Sequence, residues 1–295
     1  MAATTAQVCM SFTSAELRAD VERIASSTDR PVRALWLQAL IQGPQLADSS
    51  GFAPRSQVER LLLELASELP PAKDWSVASI AGSSPRSLRF EELDLTQARE
   101  LMKRFHYLRS PRVDGRVYGL TASGGRIIAL AVSSPVDVPA LIDVLVHRQR
   151  RPERARVLSR VFVFDHAPRN TISYLLARVS RAEKQFGISD WITYVNPNIG
   201  FTGVSYIASG WHLLGEESST TYRYLDQRYI TDRELAAKFG FQDDLAYERL
   251  LANRFAKTKM RLLPLKLFGT HGKLKLQTAL PLQSQFTQTH SSAPT

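Results

Sequence analysis

Cysteine is nearly absent from this chain of 295 residues, Cys9 being the only one. A single thiol closes no internal disulfide, which excludes a disulfide-stapled domain and leads us to expect a reducing, cytoplasmic setting. Long apolar runs are missing as well. Leu61 to Leu63 and Val161 to Phe164 fall far short of the ~20 residues that span a bilayer, so no membrane partner is expected. Met1 to Ser11 has no basic cluster ahead of an apolar run, and no secretory signal is read there. There is no Gly-Lys-Ser/Thr phosphate loop, no Gly-x-Ser-x-Gly elbow and no Cys-x-x-Cys pair, which removes the P-loop, hydrolase-elbow and zinc-finger readings. Acidic residues are in deficit, 28 against 38 basic, for a net charge of +10. With 44% hydrophobic and 22% charged residues, the composition is that of an ordinary globular protein of one large or two smaller domains.

The basic excess is clustered. His147 to Arg156 holds five arginines against the single Glu153, and Thr221 to Leu280 holds twelve basic against six acidic residues. A solvated face explains either run alone. Two runs of one sign in a basic protein point to a phosphate-rich partner, with Arg148, Arg150, Arg151 and Arg154 in the first run and Lys257, Lys259, Arg261 and Lys266 in the second as contacts.

Periodicity divides the chain into three. Residues 1–85 read as a helical module. Ser14 is placed to cap a helix bearing Leu17, Val21 and Ile24, Ser56 to Glu59 has capping-box spacing, and Pro70-Pro71 stops the helix that follows. With no motif or strong charge run of its own, the module reads as a brace for the rest, the alternative being a small helical module that binds something. Residues 86–226 alternate strands and helices. Leu88 to Leu93 is a strand, Thr96 caps a helix through Phe105, and two strands flank a Ser123-Gly124-Gly125 hairpin. Arg156 to Phe164 is the next strand, leading to a helix with Ile172, Leu175, Val179 and Phe186 on one face. Trp191 to Val195 is another strand, Thr202 to Ser209 a short helix, and Trp211 to Leu214 with Thr220 to Leu225 close the sheet. The predicted fold is α/β, a mixed central sheet flanked by helices. Residues 227–295 read as a basic, helical C-terminal extension with a flexible tail.

This order of elements resembles the GNAT N-acyltransferase fold over about residues 88–226. Acyl-CoA members of that fold hold pyrophosphate on a glycine-rich turn ahead of the central helix. Here the turn reads Asp165-His166-Ala167-Pro168-Arg169-Asn170-Thr171, without glycine, so acetyl-CoA is not the expected cofactor. The resemblance narrows on specific residues: Phe105-His106-Tyr107, Ala167-Pro168-Arg169-Asn170, the run from Tyr194 to Tyr206, and Ser209-Gly210-Trp211. Together with Tyr222 to Asp226, Tyr229 to Arg233 and Pro264 to Phe268, they resemble the Mom family of bacteriophage DNA-modification proteins and their cellular relatives, over roughly residues 88–270. That resemblance implies a GNAT-like transferase; the phage type places a carbamoylmethyl group on the exocyclic amine of adenine in DNA.

His106 and Tyr107 fall where a helix runs into a loop, and each can move a proton or hold a carbonyl oxygen. A histidine bonded to the helix end is the alternative. Tyr194 to Tyr206 starts as a strand, breaks at Asn196-Pro197 and restarts as a helix near Thr202-Gly203, exposing backbone where open α/β sheets bind ligands. The catalytic candidates are His106, Tyr107, Asn196 and Tyr206. The substrate-binding candidates are Arg169, Asn170, Asn198, Gly200, Phe201, Thr202 and Gly203. A metal would need His106, Asp165 and His166 to converge, and no metal is assigned. Three functions follow: an enzyme modifying adenine in DNA, an aminoacyl-tRNA-dependent amide-forming transferase acting on a small molecule, or a non-catalytic nucleic-acid-binding protein. The donor and the oligomeric state are not legible.

Overall fold

The computed structural model describes residues 14–43, 54–75, 84–109, 114–147, 149–217, 222–225, 228–231 and 265–270. Helices α1 (Ser14–Ser27), α2 (Val32–Gln42) and α3 (Arg55–Glu68) share a core of their own, built on Val21, Leu35, Leu62 and Leu65, and a short α4 (Ala72–Trp75) follows Pro70-Pro71. The capping box is not used. Pro54 is the N-cap of α3, so Ser56 lies inside the helix, and Glu59 instead pairs with Arg23 of α1 at 3.0 Å.

Next come β1 (Arg89–Glu92), α5 (Leu95–Phe105), β2 (Arg116–Thr121), β3 (Ile127–Pro135), α6 (Pro139–His147), β4 (Ala155–Val163), α7 (Thr171–Glu183), β5 (Asp190–Val195), α8 (Val204–Ile207) and β6 (His212–Glu217). The cap of α5 is Asp94 rather than Thr96: its Oδ1 accepts from the backbone N–H groups of Thr96 and Gln97, two donors that begin the helix without partners. Gly124 and Gly125 both take positive φ, as the tight β2–β3 turn requires. Both faces of β3 are covered, which explains its unbroken apolar run Ile127 to Val132; each large side chain so buried contributes ~1.5–3 kcal/mol. Phe186 departs from expectation. It is half exposed beyond the end of α7, where Arg116 lies over its ring at 4.0 Å. Arg116 and Tyr118 also bond the buried Glu183, which ties α7 to β2.

Among the described residues the main sheet runs β1-β2-β3-β4-β5-β9-β6, where β9 is Leu265–Gly269. It is mixed, with β4 and β5 parallel and the other pairs antiparallel. Two expectations are corrected. Tyr222–Leu225 (β7) does not close the sheet; it pairs with Arg228–Thr231 (β8) as a separate hairpin. Residues 265–269, assigned to a helical extension, form a strand between β5 and β6, so the boundary at residue 226 does not hold. The alternation Leu265-Lys266-Leu267-Phe268 suits a strand, with Leu267 and Phe268 packed into cores on the two faces of the sheet. The rest of that extension, and its tail, lie outside the described residues. No helix among those described is long and apolar enough to cross a membrane.

Candidate active site

Strands β4 and β5 pair only from Ala155 opposite Asp190 to Leu158 opposite Thr193. Beyond that point β4 continues with β3, as far as Val163 opposite Ala129, while β5 continues with β9, as far as Val195 opposite Lys266. A bulge at Ser159 bends β4 where the strands part. The wedge between them opens into a cavity of about 640 Å³, a size suited to a small-molecule or single-nucleotide ligand.

Most sequence-predicted residues meet in this cavity. His106, Tyr107, Asn196 and Tyr206 line it, as do Asn170, Gly200, Phe201, Thr202 and Gly203. Arg169 is exposed and does not contribute to the lining, and the side chain of Asn198 lies outside those described. The helix that restarts after Gly203, α8, has only four residues and so little dipole to offer a ligand, while the residues ahead of it line the cavity. No group of three or more His, Cys, Asp or Glu side chains is placed to hold a metal ion among the described residues.

His106 is the C-cap of α5 and only 5% exposed. Its Nδ1 accepts from the backbone N–H of Leu108 at 3.2 Å. Burial, reinforced by the positive charge of Arg160, pushes its pKa well below the ordinary histidine value, so the ring is neutral at pH 7. With Nδ1 occupied as an acceptor, the proton of the neutral ring resides on Nε2. His106 is therefore equipped to donate a hydrogen bond rather than to collect a proton. Tyr107 leans on His106 at 4.5 Å and meets Phe201 edge to face at 5.7 Å, which gives the cavity an aromatic wall. Tyr206 stacks on Phe268 of β9, and burial raises its pKa, keeping the phenol protonated. Gly203 has φ +81°, and a Cβ there would lie 2.5 Å from the Phe268 ring. Its conformation and the close approach of Phe268 both demand glycine.

Several lining residues were not singled out in the sequence. Arg33, Ala34, Leu37 and Gln38 come from α2 of the N-terminal module, Arg104 from α5 and Arg160 from β4. Gln38 Nε2 donates to the carbonyl of Tyr107 at 3.0 Å, and Gln38 Oε1 accepts from the buried Tyr229 hydroxyl at 2.6 Å. Tyr229 in turn donates its N–H to the carbonyl of Leu108, and its hydroxyl accepts from Gln42. Ordinary polar positions on a helix carry no sequence signal for such a role.

The expected nucleic-acid contacts fall elsewhere. Arg150 approaches Asp190 at 3.8 Å and Arg154 donates to the carbonyl of Gly187, at the end where β4 and β5 begin. That end is about 13 Å along β4 from Ser159, where the wedge begins to open, and about 26 Å from Val163 at the far end of the strand, at ~3.3 Å per residue. Arg151 is exposed at the same end, and Lys266 is half-buried in β9. Arg148, Lys257, Lys259 and Arg261 lie outside the described residues.

The Mom protein family matches residues 87–265. The chain belongs to the Mom family. Both loops of the wedge and most of the sheet lie within the matched span, whereas the three-helix module precedes it. The mixed sheet of this Mom-family chain, flanked by helices and with one parallel pair that parts, is the α/β architecture that the sequence led us to expect. Solved structures that resemble it include the ribosomal-protein-S18-alanine N-acetyltransferase from Escherichia coli, at 12% identity over 62% of this chain and 92% of that one with a TM-score of 0.33. An N-acetyltransferase from Staphylococcus aureus Mu50 is similar at 13% identity over 62% and 96%, TM-score 0.35. A spermidine N-acetyltransferase from Vibrio cholerae is similar at 9% identity over 64% and 95%, TM-score 0.37. No curated protein matches the chain.

Proposed function

We propose that this GNAT-like transferase moves an amino-acid-like or acyl group onto the exocyclic amine of adenine in DNA. The observation that carries the reading is the neutral, buried His106 with its Nε2 proton available, set in an aromatic-walled cavity where β4 and β5 part. The amine nitrogen attacks the donor's activated carbonyl carbon to give an oxyanion; collapse of that intermediate breaks the carbon's bond to the donor's leaving group, which departs, and the amine gives up a proton. His106 Nε2–H supplies a hydrogen-bond donor for the oxyanion, and water takes the proton, either directly or through the Tyr107 hydroxyl, which passes its own proton on as it accepts. An adenine inside a duplex is out of reach, so the base must be extruded and packed against the aromatic wall of Tyr107 and Phe201.

For the donor, we read the turn from Asp165 to Thr171 as a poor fit to the pyrophosphate of an acyl-CoA. Ala167 N–H and Thr171 N–H are spent on the carbonyls of Phe164 and Pro168, Pro168 has no N–H, and the Asp165 carboxylate stands at the cavity edge. That misfit favours a second reading in which the donor is an aminoacyl-tRNA and the acceptor a small molecule.

The test is to express the chain in a bacterium, digest the genomic DNA to nucleosides and search by mass spectrometry for a deoxyadenosine of increased mass, with His106→Asn as the control. We expect a new nucleoside that the variant lacks. Unmodified DNA together with protein-dependent discharge of aminoacyl-tRNA would favour the second reading.

A further inference from the structure

Four arginines line the cavity, Arg33, Arg104, Arg109 and Arg160, against one acidic residue, Asp165. They are not equivalent. Arg109 is buried and paired with Glu68, and Arg160 lies part way into the wedge beside His106. Arg33 and Arg104 stand at the rim, with side chains 59% and 52% exposed. Arg33 projects from α2 and pairs with Asp165; Arg104 projects from α5, pairs with Asp74 at 2.6 Å and lies over the Phe105 ring at 5.1 Å. Exposed ion pairs of this kind hold their partners weakly, so each guanidinium can exchange a carboxylate for a stronger anionic ligand at little cost. A phosphate offers more acceptor oxygens to the planar fork. The cavity is thus aromatic inside and cationic at the rim, which matches a ligand with a flat body and anionic groups beside it.

We propose that Arg33 and Arg104 grip the backbone phosphates flanking the target nucleotide while its base occupies the aromatic interior. The N-terminal module, which precedes the family match, would then be part of the nucleic-acid surface and not only a brace. This inference rests on the reading of DNA as the substrate.

The experiment uses the full chain and a short fluorescein-labelled single-stranded oligodeoxynucleotide with one central adenine. Two relatives of the probe are needed, one with the phosphates on either side of that adenine replaced by neutral methylphosphonates and one with the adenine removed. Affinities are measured for the unmodified protein and for Arg33→Gln, Arg104→Gln and the double variant, with melting curves to verify folding. The methylphosphonates are expected to weaken binding to the unmodified protein about tenfold and to leave the double variant nearly unaffected. The slope of log affinity against log salt should become shallower by about 1.4 in the double variant, at about 0.7 per phosphate contact on a single strand. A methylphosphonate penalty that persists in the double variant would overturn the phosphate assignment while leaving adenine as the substrate. Equal binding of the adenine-free strand would instead sink the adenine reading, and the arginine dependence would still decide the phosphate contact. Failure of any DNA strand to bind would overturn both. Tighter binding of an RNA acceptor-stem hairpin, with the same arginine dependence, would overturn the DNA assignment in favour of RNA phosphates.

Discussion

A neutral histidine at the bottom of a cavity links chemistry to pH. Because the folded-state pKa of His106 is depressed by burial and by Arg160, the unfolded chain binds its proton more readily below about pH 6.5, and stability must drop as the pH falls through that range. Above it the contribution is fully present. Urea midpoints measured from about pH 8 to about pH 5 should decline, and His106→Asn, which cannot titrate, should flatten the decline. A slope unchanged by the substitution would mean that His106 is not the responsible group. Tyr107 makes a different demand. Tyr107→Phe keeps the ring against Phe201 and deletes only the hydroxyl, so turnover should fall ~100-fold while the melting temperature hardly moves. Yield of modified nucleoside beside a melting curve separates the two effects. His106, Tyr107 and Asn196 were legible in the sequence because each stands at an element end, where a helix or strand breaks into a loop. The preference of His106 for donating rather than accepting was not legible, since it depends on the bond from Leu108 and the charge of Arg160, a strand residue distant in sequence.

Among the elements, the loop from β5 to α8 is the most sharply constrained. Gly200 and Gly203 both have positive φ, but space is open around the first and the Phe268 ring closes on the second. Gly200→Ala should therefore cost about 1 kcal/mol, the penalty for a side chain in that backbone region, and Gly203→Ala about 2 kcal/mol or more. Equal losses in denaturant titrations would contradict the packing of Phe268 on this loop. The turn before α7 carries a second expectation: calorimetric titration with acetyl-CoA should give no micromolar binding. Hairpin, central strands and the broken segment after β5 could be read in advance because glycine, proline and β-branched residues act locally. The strand β9 could not. Its five residues pair with segments some 50 to 75 positions earlier in the chain, and the surrounding lysines and arginines dominated the composition.

At the scale of the whole molecule, the three-helix module and the β7–β8 hairpin are clasped through one buried hydroxyl. Tyr229→Phe removes the donor to Gln38 and the acceptor of Gln42, leaving buried amide groups unsatisfied at a cost on the order of 2 kcal/mol. Hydrogen exchange should show protection lost together in α2 and in Tyr107 to Arg109, because Gln38 joins them; loss in α2 alone would mean that the module opens independently.

The position of β9 also sets an order of events in time. A ribosome delivers β5 and β6 well before Leu265 emerges, and until then the two strands have no partner between them. Their pairing groups stay open to other chains, the circumstance in which nascent proteins associate wrongly. Closing so long a loop is slow, and the Phe268 ring that supports Gly203 and Tyr206 arrives with it. The cavity is thus among the last parts to form, and a chain released short of residue 265 should aggregate.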